Sequence, residues 1–317
     1  MPWKLLEFFV VTRIVGIALV RNEENFVTWA IENAVGFVDE MLVIDNLSRD
    51  ATSARLAALA SRHPMIRVMK DSQPDRTNRH LQAYIGQDVW VFGLDGDEIY
   101  DRDGLARMRG RVLSGEFARC WTVFGHSLHA TVVDFDRHSA IGYSTPPAAP
   151  ATKLYNFSII ESWHANTQRL HGRPVLKPGY AFSDNWKQAA EAGWAESDFR
   201  NLHMCFFPRS SHDEGTEVRA NITDRSFRNV VRRPVFRALQ ALGVKGRLAD
   251  YLAQRAGLKK SLRYMKGDVA EVSLGAGFGR PLDHADLDPR AGEVEALVAA
   301  VSRRRAGAPD IRLETTP

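Results

Sequence analysis

Asp95 and Asp97 flank Gly96 in the segment LDGDE of this 317-residue chain. On an extended turn, carboxylates spaced in this way lean to one side, and hard divalent cations such as Mg²⁺ and Mn²⁺ prefer oxygen ligands of that kind. Such ions take few ligands from protein when a diphosphate supplies the others. Gly96 removes a side chain where a ribose or phosphate must approach closely. Glu98 is placed to hold the loop or to orient a metal-bound water. The same residues also describe a solvated acidic turn, and position decides between the two. The run VWVFGL before the turn reads as a strand that delivers DGDE at its carboxyl end.

Asp45 has a comparable setting. It follows the apolar run MLVI and precedes Asn46, Ser48, Asp50 and Thr52. A carboxylate at a strand end can accept from a nucleobase N–H, and Ser48, Asp50 or Thr52 can cap a following helix.

The elements that must hold these residues follow from periodicity. Residues 13–20 (RIVGIALV) are β-branched and aliphatic throughout, as in a strand buried on both faces. Phe26, Trp29, Ala30, Asn33, Ala34 and Phe37 then recur at helical spacing, with Gly36 as the stop. Residues 41–44 read as a strand, 53–61 as a helix, 65–69 as a strand, 75–86 as a helix and 89–94 as a strand. Strand and helix alternating at short spacing imply an α/β fold with a parallel sheet covered by helices. Ligands of such sheets sit at the carboxyl ends of strands, so the loops around Asn22, Asp45 and Asp95 should converge on one rim. Further along, 120–126 and 131–135 read as paired strands, 145–152 as a loop, and 153–160 and 200–207 as extended.

Three motifs in order resemble glycosyltransferases of the GT-A fold, family 2 or a close relative. Arg21, Asn22, Glu23 and Glu24 match the polar "NEE" loop, with Trp29 in the helix behind it. Asp45, Asn46, Ser48, Asp50 and Thr52 match the second loop, and Asp95, Asp97 and Glu98 match the D-x-D-E form of the metal motif. The resemblance covers residues 13–103 closely and 104–215 loosely. It implies a mixed, mainly parallel sheet and a nucleotide-sugar donor, UDP-, GDP- or dTDP-linked, with its base contacted from the first two loops. It also implies Mn²⁺ or Mg²⁺ bridging Asp97 and the diphosphate, with Asp95 in the metal or nucleotide shell. A metal neutralises the charge that grows on a departing nucleoside diphosphate without proton transfer.

Further along, His203, Arg209, Ser210 and Ser211 in NLHMCFFPRSS resemble a late "H-Y-x-x-K-S" element, although Phe206 or Phe207 and Arg209 depart from it. The resemblance makes His203 a metal ligand and sets Arg209, with its forked donors, on the diphosphate. Transfer to an acceptor hydroxyl, with inversion as in the family, needs a carboxylate base. The family's late E-D and Q-x-x-R-W motifs are absent, which leaves Glu161 as first candidate and Asp184 as second. His164, His171, Trp163, Trp186 and Trp194 are candidates for acceptor contacts or for core packing.

Charge divides the chain. Residues 219–266 hold thirteen Lys and Arg against two acids, a net of +11, and since the whole is +4 the remainder carries −7. This predicts a GT-A domain over 13–215, after a short extension over 1–12, and a basic helical extension over 216–317 ending in a disordered tail. Basic residues interleaved with Phe227, Val231, Phe236, Leu239 and Leu242 suit a helical face packed on the domain. They also suit an anionic membrane surface, where a lipid-linked or glycan acceptor would lie. No nucleic-acid motif accompanies them. Lys4, Glu7 and Arg13 interrupt the first apolar stretch short of the roughly 20 residues a membrane span needs. With only Cys120 and Cys205, far apart, the expected compartment is reducing: the cytoplasm, or the inner face of its membrane. The expected role is polysaccharide or glycoconjugate synthesis. Two other readings compete with it. A nucleotidyltransferase would want a glycine-rich basic loop after the first strand, and residues 21–25 lack glycine. A non-catalytic nucleotide- or polyanion-binding scaffold would not need metal-dependent nucleotide binding.

Overall fold

Every residue of the strand Arg13–Val20 after Arg13 is buried, as its unbroken aliphatic run requires of a strand covered on both faces. In the computed structural model, which describes residues 12–148, 152–211 and 264–280, that strand (β1) is central. It pairs in parallel with β2 (Glu40–Asp45) on one side and with the strand Val89–Leu94 on the other. Helix α1 (Val27–Ala34) follows β1, and α2 (Thr52–Arg62) leads from β2 into β3 (Ile66–Lys70), which pairs in parallel with β2. Residues Pro74–Tyr84, expected to be α-helical, form a 3₁₀ stretch kinked at Arg76. Pro74 supplies no N–H and Thr77 Oγ1 donates to its carbonyl, so side-chain bonding competes with a regular α-turn. With Val89–Leu94 as β4, the parallel block has the order β3-β2-β1-β4, whose direction of winding reverses between β1 and β4. The crevice outside the carboxyl ends of those two strands is where such a fold takes ligands.

The chain then builds two sheets alternately. β5 (Glu98–Tyr100) starts the second sheet directly after the DGD turn, and α3 (Arg102–Leu113) is capped by Asp101, whose side chain accepts from the N–H groups of Asp103 and Gly104. β6 (Thr122–Phe124) returns to the first sheet, while β7 (His126–Asp134) joins the second and pairs with β8 (Ser139–Ser144). The paired strands expected over 120–135 are therefore not partners of each other. Gly125 is the switch, where a Cβ would lie 2.9 Å from the Phe199 carbonyl oxygen. β9 (Thr152–Asn156) runs antiparallel between β4 and β6. A small hairpin of β10 (Ile160–Ser162) and β11 (Val175–Leu176) follows, then the edge strand β12 (Asn185–Lys187), the short α4 (Gln188–Glu191), and β13 (Arg200–His203) in the second sheet.

The first sheet thus reads β12-β6-β9-β4-β1-β2-β3 and the second β14-β8-β7-β13-β5, where β14 is Val269–Ser273. β14 pairs antiparallel with β8, so residues 264–280 belong to the domain body rather than to a separate helical extension. Helix α1 lies between the two cores. Val27, Ile31 and Ala34 pack with the first sheet, and Phe26, Trp29 and Ala30 pack with Ile99, Leu128 and Leu202 of the second. Trp29 Nε1 and Asn33 Nδ2 both donate to the Phe278 carbonyl, at 2.7 and 2.9 Å, fixing the returning segment under the helix. Apart from residues 264–280, the basic helical extension expected over 216–317 lies outside the described residues, as does most of the extension over 1–12.

Candidate active site

Three polar loops meet at the carboxyl ends of β1, β2 and β4. Asn22, in the left-handed region at φ 51°, accepts the Arg49 N–H on its side-chain oxygen at 2.9 Å and donates its own N–H to Ser48 Oγ at 3.0 Å. Glu23 N–H donates to Thr52 Oγ1 at 2.8 Å, tying the first loop to the start of α2. The DGD turn packs on the same loop. A Cβ at Gly96 would lie 3.1 and 3.2 Å from Glu23 Cγ and Cβ and 3.2 Å from Val20 Cγ1, so glycine here permits the close approach of turn to loop. The segment after β13 closes the group. Arg209 donates to Glu23 Oε1 at 2.6 Å, and the Asn25 N–H donates to the Arg209 carbonyl at 2.9 Å.

The residues expected to bind a nucleotide are distributed unequally within this rim. Glu24 is a joint between segments. Its Oε1 accepts from the N–H and hydroxyl of Ser211 and from the Ser210 hydroxyl, and its Oε2 from the Ala51 N–H. Burial pushes its pKa up, but these donors outweigh burial and bring it to about 2. Asp45 is fully buried, and its two oxygens accept from the Ser48 N–H at 2.8 Å and the Ser53 hydroxyl at 2.5 Å. In this arrangement Asp45 shapes its own loop, and both oxygens expected to face a base are engaged within the chain. Asp50 accepts the Thr52 N–H at 3.0 Å, as a cap would.

Asp95 is engaged within the chain in the same way. Arg169 binds its Oδ1 at 2.5 Å and Lys153 its Oδ2 at 2.9 Å. Burial raises the pKa of Asp95, and the charges of Arg169 and Lys153 overcome it and hold the group well below the usual carboxylate range. Both oxygens bind protein cations in this structure, so that Asp95 anchors the turn. Lys153 also reaches Glu98 Oε1 at 2.9 Å. Burial pushes the Glu98 pKa up to about 8, with Lys153 pulling against it and Asp95 and Asp97 adding to it. Burial thus favours the protonated form of Glu98.

Lys153 and Arg169 were not singled out from sequence. Lys153 precedes Leu154 on β9, whose register against Phe92 places it beside the end of β4. Arg169 also donates to the Leu94 carbonyl at 2.9 Å.

Asp97 and His203 do come together. β13 pairs antiparallel with β5 so that His203 lies opposite Glu98, and His203 Nε2 is 3.7 Å from Asp97 Oδ1, with side chains 10% and 7% exposed. A carboxylate oxygen and an imidazole nitrogen this close, both nearly buried, could together hold a divalent cation.

Glu161 and Asp184 are placed elsewhere. The Gly86 N–H donates to the Phe157 carbonyl ahead of β4, and Ile160 lies against Gly86, so exposed Glu161 sits at the amino end of the sheet. Asp184 precedes Asn185, which pairs with Thr122, level with Tyr155 and Val91. Its carboxylate accepts the Ala181 N–H at 2.8 Å in a turn. The register puts both at the opposite end of the strands from Asp97. His164 accepts the Asn166 N–H, and Trp163 packs with Tyr155 and Phe157 in the core. Trp186 packs on Phe117, and Trp194 stacks on Phe278. Among the described residues no helix is long and apolar enough to cross a membrane.

The chain is thus an α/β protein with a mainly parallel central sheet and a charged rim at its winding switch. Neither a family model nor a curated protein matches it. Among solved structures it is similar to glucosyl-3-phosphoglycerate synthase from Mycobacterium tuberculosis, crystallised with Mn²⁺, UDP and glucosyl-3-phosphoglycerate, at 25% identity over 37% of this chain and 44% of that one, TM-score 0.28. It is similar also to the mannosyltransferase PcManGT from Pyrobaculum calidifontis with GDP-Man and Mn²⁺, at 10% identity over 93% and 79%, TM-score 0.34. A third similar structure is S. aureus TarS 1-349, at 14% identity over 46% and 48%, TM-score 0.33. The chain spans less than half the length of the synthase and of TarS 1-349.

Proposed function

We propose that this chain is a GT-A glycosyltransferase that moves a sugar from a nucleoside diphosphate to an acceptor hydroxyl with the help of a divalent cation. The observation that carries the reading is the meeting of Asp97 and His203 at the winding switch, beside the loops after β1 and β2. Mn²⁺ or Mg²⁺ would be held by Asp97 and His203 and would neutralise the diphosphate as it leaves. The donor would lie across the crevice between β1 and β4. Arg209, oriented by Glu23, would take a phosphate through its forked donors. Lys153 and Arg169 hold Asp95, and with it the turn that presents Asp97, so the ligand is in place before substrate arrives. Inversion, a family 2-like relationship, a glycan or lipid-linked acceptor, polysaccharide synthesis and a station at an anionic membrane are parts of the same proposal. They rest on the sequence motifs and on the basic stretch over 219–266.

A thermal-shift panel of UDP, GDP, CDP and dTDP with and without Mn²⁺ tests it, since a ligand of the folded state raises the melting temperature by mass action. One nucleotide should give a metal-dependent shift that Asp97→Ala removes together with turnover. No metal-dependent shift with any of the four sinks the reading.

A further inference from the structure

The second sheet places His129 beside His203. β13 and β7 run parallel with these residues in register, and the two Nδ1 atoms are 2.8 Å apart. Cys205, two residues beyond His203, brings its sulfur to the same point, so that one ring nitrogen from each histidine and the sulfur all lie within 4.8 Å of one another. All three side chains are buried, at 1%, 8% and 5% exposure for His129, His203 and Cys205. The Tyr264 ring covers both imidazoles, with centroids 4.4 Å from His129 and 4.8 Å from His203.

We propose that His129, His203 and Cys205 form a binding site for a thiophilic divalent ion of the Zn²⁺ class, which shares only His203 with the hard-cation site at Asp97. Two imidazole nitrogens and a thiolate match the preference of Zn²⁺, with bonds of about 2.0–2.1 Å to nitrogen and about 2.3 Å to sulfur. Ligand atoms on such an ion stand roughly 3.3–3.7 Å apart, so small side-chain rotations bring the three onto one centre. Binding releases the thiol proton and moves the proton shared by the two Nδ1 atoms to the Nε2 of its own ring, so that each neutral imidazole carries its proton at Nε2. The His203 Nε2–H then faces Asp97 Oδ1, 3.7 Å away, and a small ring rotation would close the carboxylate–histidine–metal relay that fixes a ligand's tautomer. His203 therefore serves one ion at a time. Zn²⁺ on Nδ1 turns Asp97 into the acceptor for Nε2–H and removes the nitrogen that the hard-cation site would use.

Titrating the metal-stripped full chain with Co²⁺, without nucleotide, tests this through the cobalt–thiolate charge-transfer absorption, and elemental analysis after Zn²⁺ loading gives the stoichiometry. The expected result is one Zn²⁺ per chain and a charge-transfer band that Cys205→Ser abolishes, with Zn²⁺ affinity reduced at least tenfold in Cys205→Ser and in His129→Gln. Asp97→Asn keeps the band, which separates this site from the proposed catalytic one. A wild-type spectrum without the band overturns the proposal whatever the variants do. So does a band that survives Cys205→Ser, which would assign it to Cys120, or Zn²⁺ binding lost with Asp97→Asn but kept with Cys205→Ser.

Discussion

At the carboxyl ends of β1 and β4 the chain buries Glu23, Asp97, Glu98, Lys153 and Arg169. At the amino ends of the same sheet its charges stay near solvent. Asp39 meets Arg109 with side chains 32% and 26% exposed, and Glu40 meets Arg67 at 22% and 63%. Both ends contain ion pairs of good length, but their energetics differ. A surface pair gains little and loses little, whereas a buried pair repays its desolvation only with near-complete bonding. Packed apolar groups would serve stability as well at the carboxyl rim. Charge buried at that rim is what the proposed chemistry requires, and the amino rim is the internal control.

The largest expected difference between the rims follows from deleting a cation. Lys153→Met leaves Glu98 Oε1 without its donor and the Asp95 carboxylate with Arg169 alone, and should destabilise the fold by on the order of 3 kcal/mol in urea unfolding. Arg67→Met, at the amino rim, should cost under about 1 kcal/mol. Equal losses at the two sites would remove the distinction on which the comparison rests.

A smaller effect lies in pH dependence. The Glu98 pKa is about 8 in the fold against an ordinary value of 4.5. Below about pH 4.5 folded and unfolded chains both hold this proton. As pH rises toward about 8 the unfolded chain releases it and the folded chain keeps it, so the contribution to stability declines across that window. Asp95, held below its ordinary 3.8, loses its contribution only at lower pH and does not overlap. Glu98→Gln should therefore flatten the fall in melting temperature between about pH 5 and 8. A slope identical to wild type would mean that Glu98 is ionised in the fold.

How much of this was legible beforehand depends on the range of the signal. β1, β2 and β4 announced themselves as local apolar runs, and the loops after them could be read because turn chemistry is local as well. Lys153, Arg169 and His129 carry no local signal. Each matters through a partner across a sheet or from a distant loop, and nothing in KLYN, TQRLH or SLHA states which strand it will face. Cys205 stands far from His129 in the sequence, and the two meet because the register of β13 and β7 sets His203 beside His129. The pairing of 120–135 was misjudged for a related reason, since Gly125 sends neighbouring strands to different sheets and periodicity does not record which sheet a strand joins. The bonds of Asp45 and Asp95 were hidden in the same way. A motif identifies a carboxylate at a strand end, while burial and neighbours decide whether it faces ligand or protein.

The smallest expected effect is at the amino rim, where sequence had pointed to a general base. Glu161 is exposed on β10, and Asp184 uses its carboxylate to hold the turn at Ala181. Glu161→Gln removes a charge in solvent, and Asp184→Asn keeps an oxygen that can accept the same N–H. Each should change stability by no more than about 0.5 kcal/mol and leave metal-dependent nucleotide binding and turnover within about twofold of wild type, roughly 0.4 kcal/mol on the barrier. Turnover is the sharper measurement, because a base in contact with the acceptor contributes on the order of 10²-fold or more. A fall of that size at Glu161 with nucleotide binding intact would mean that the acceptor is held at the far end of the sheet. The contrast between the rims would then be one of stability rather than function.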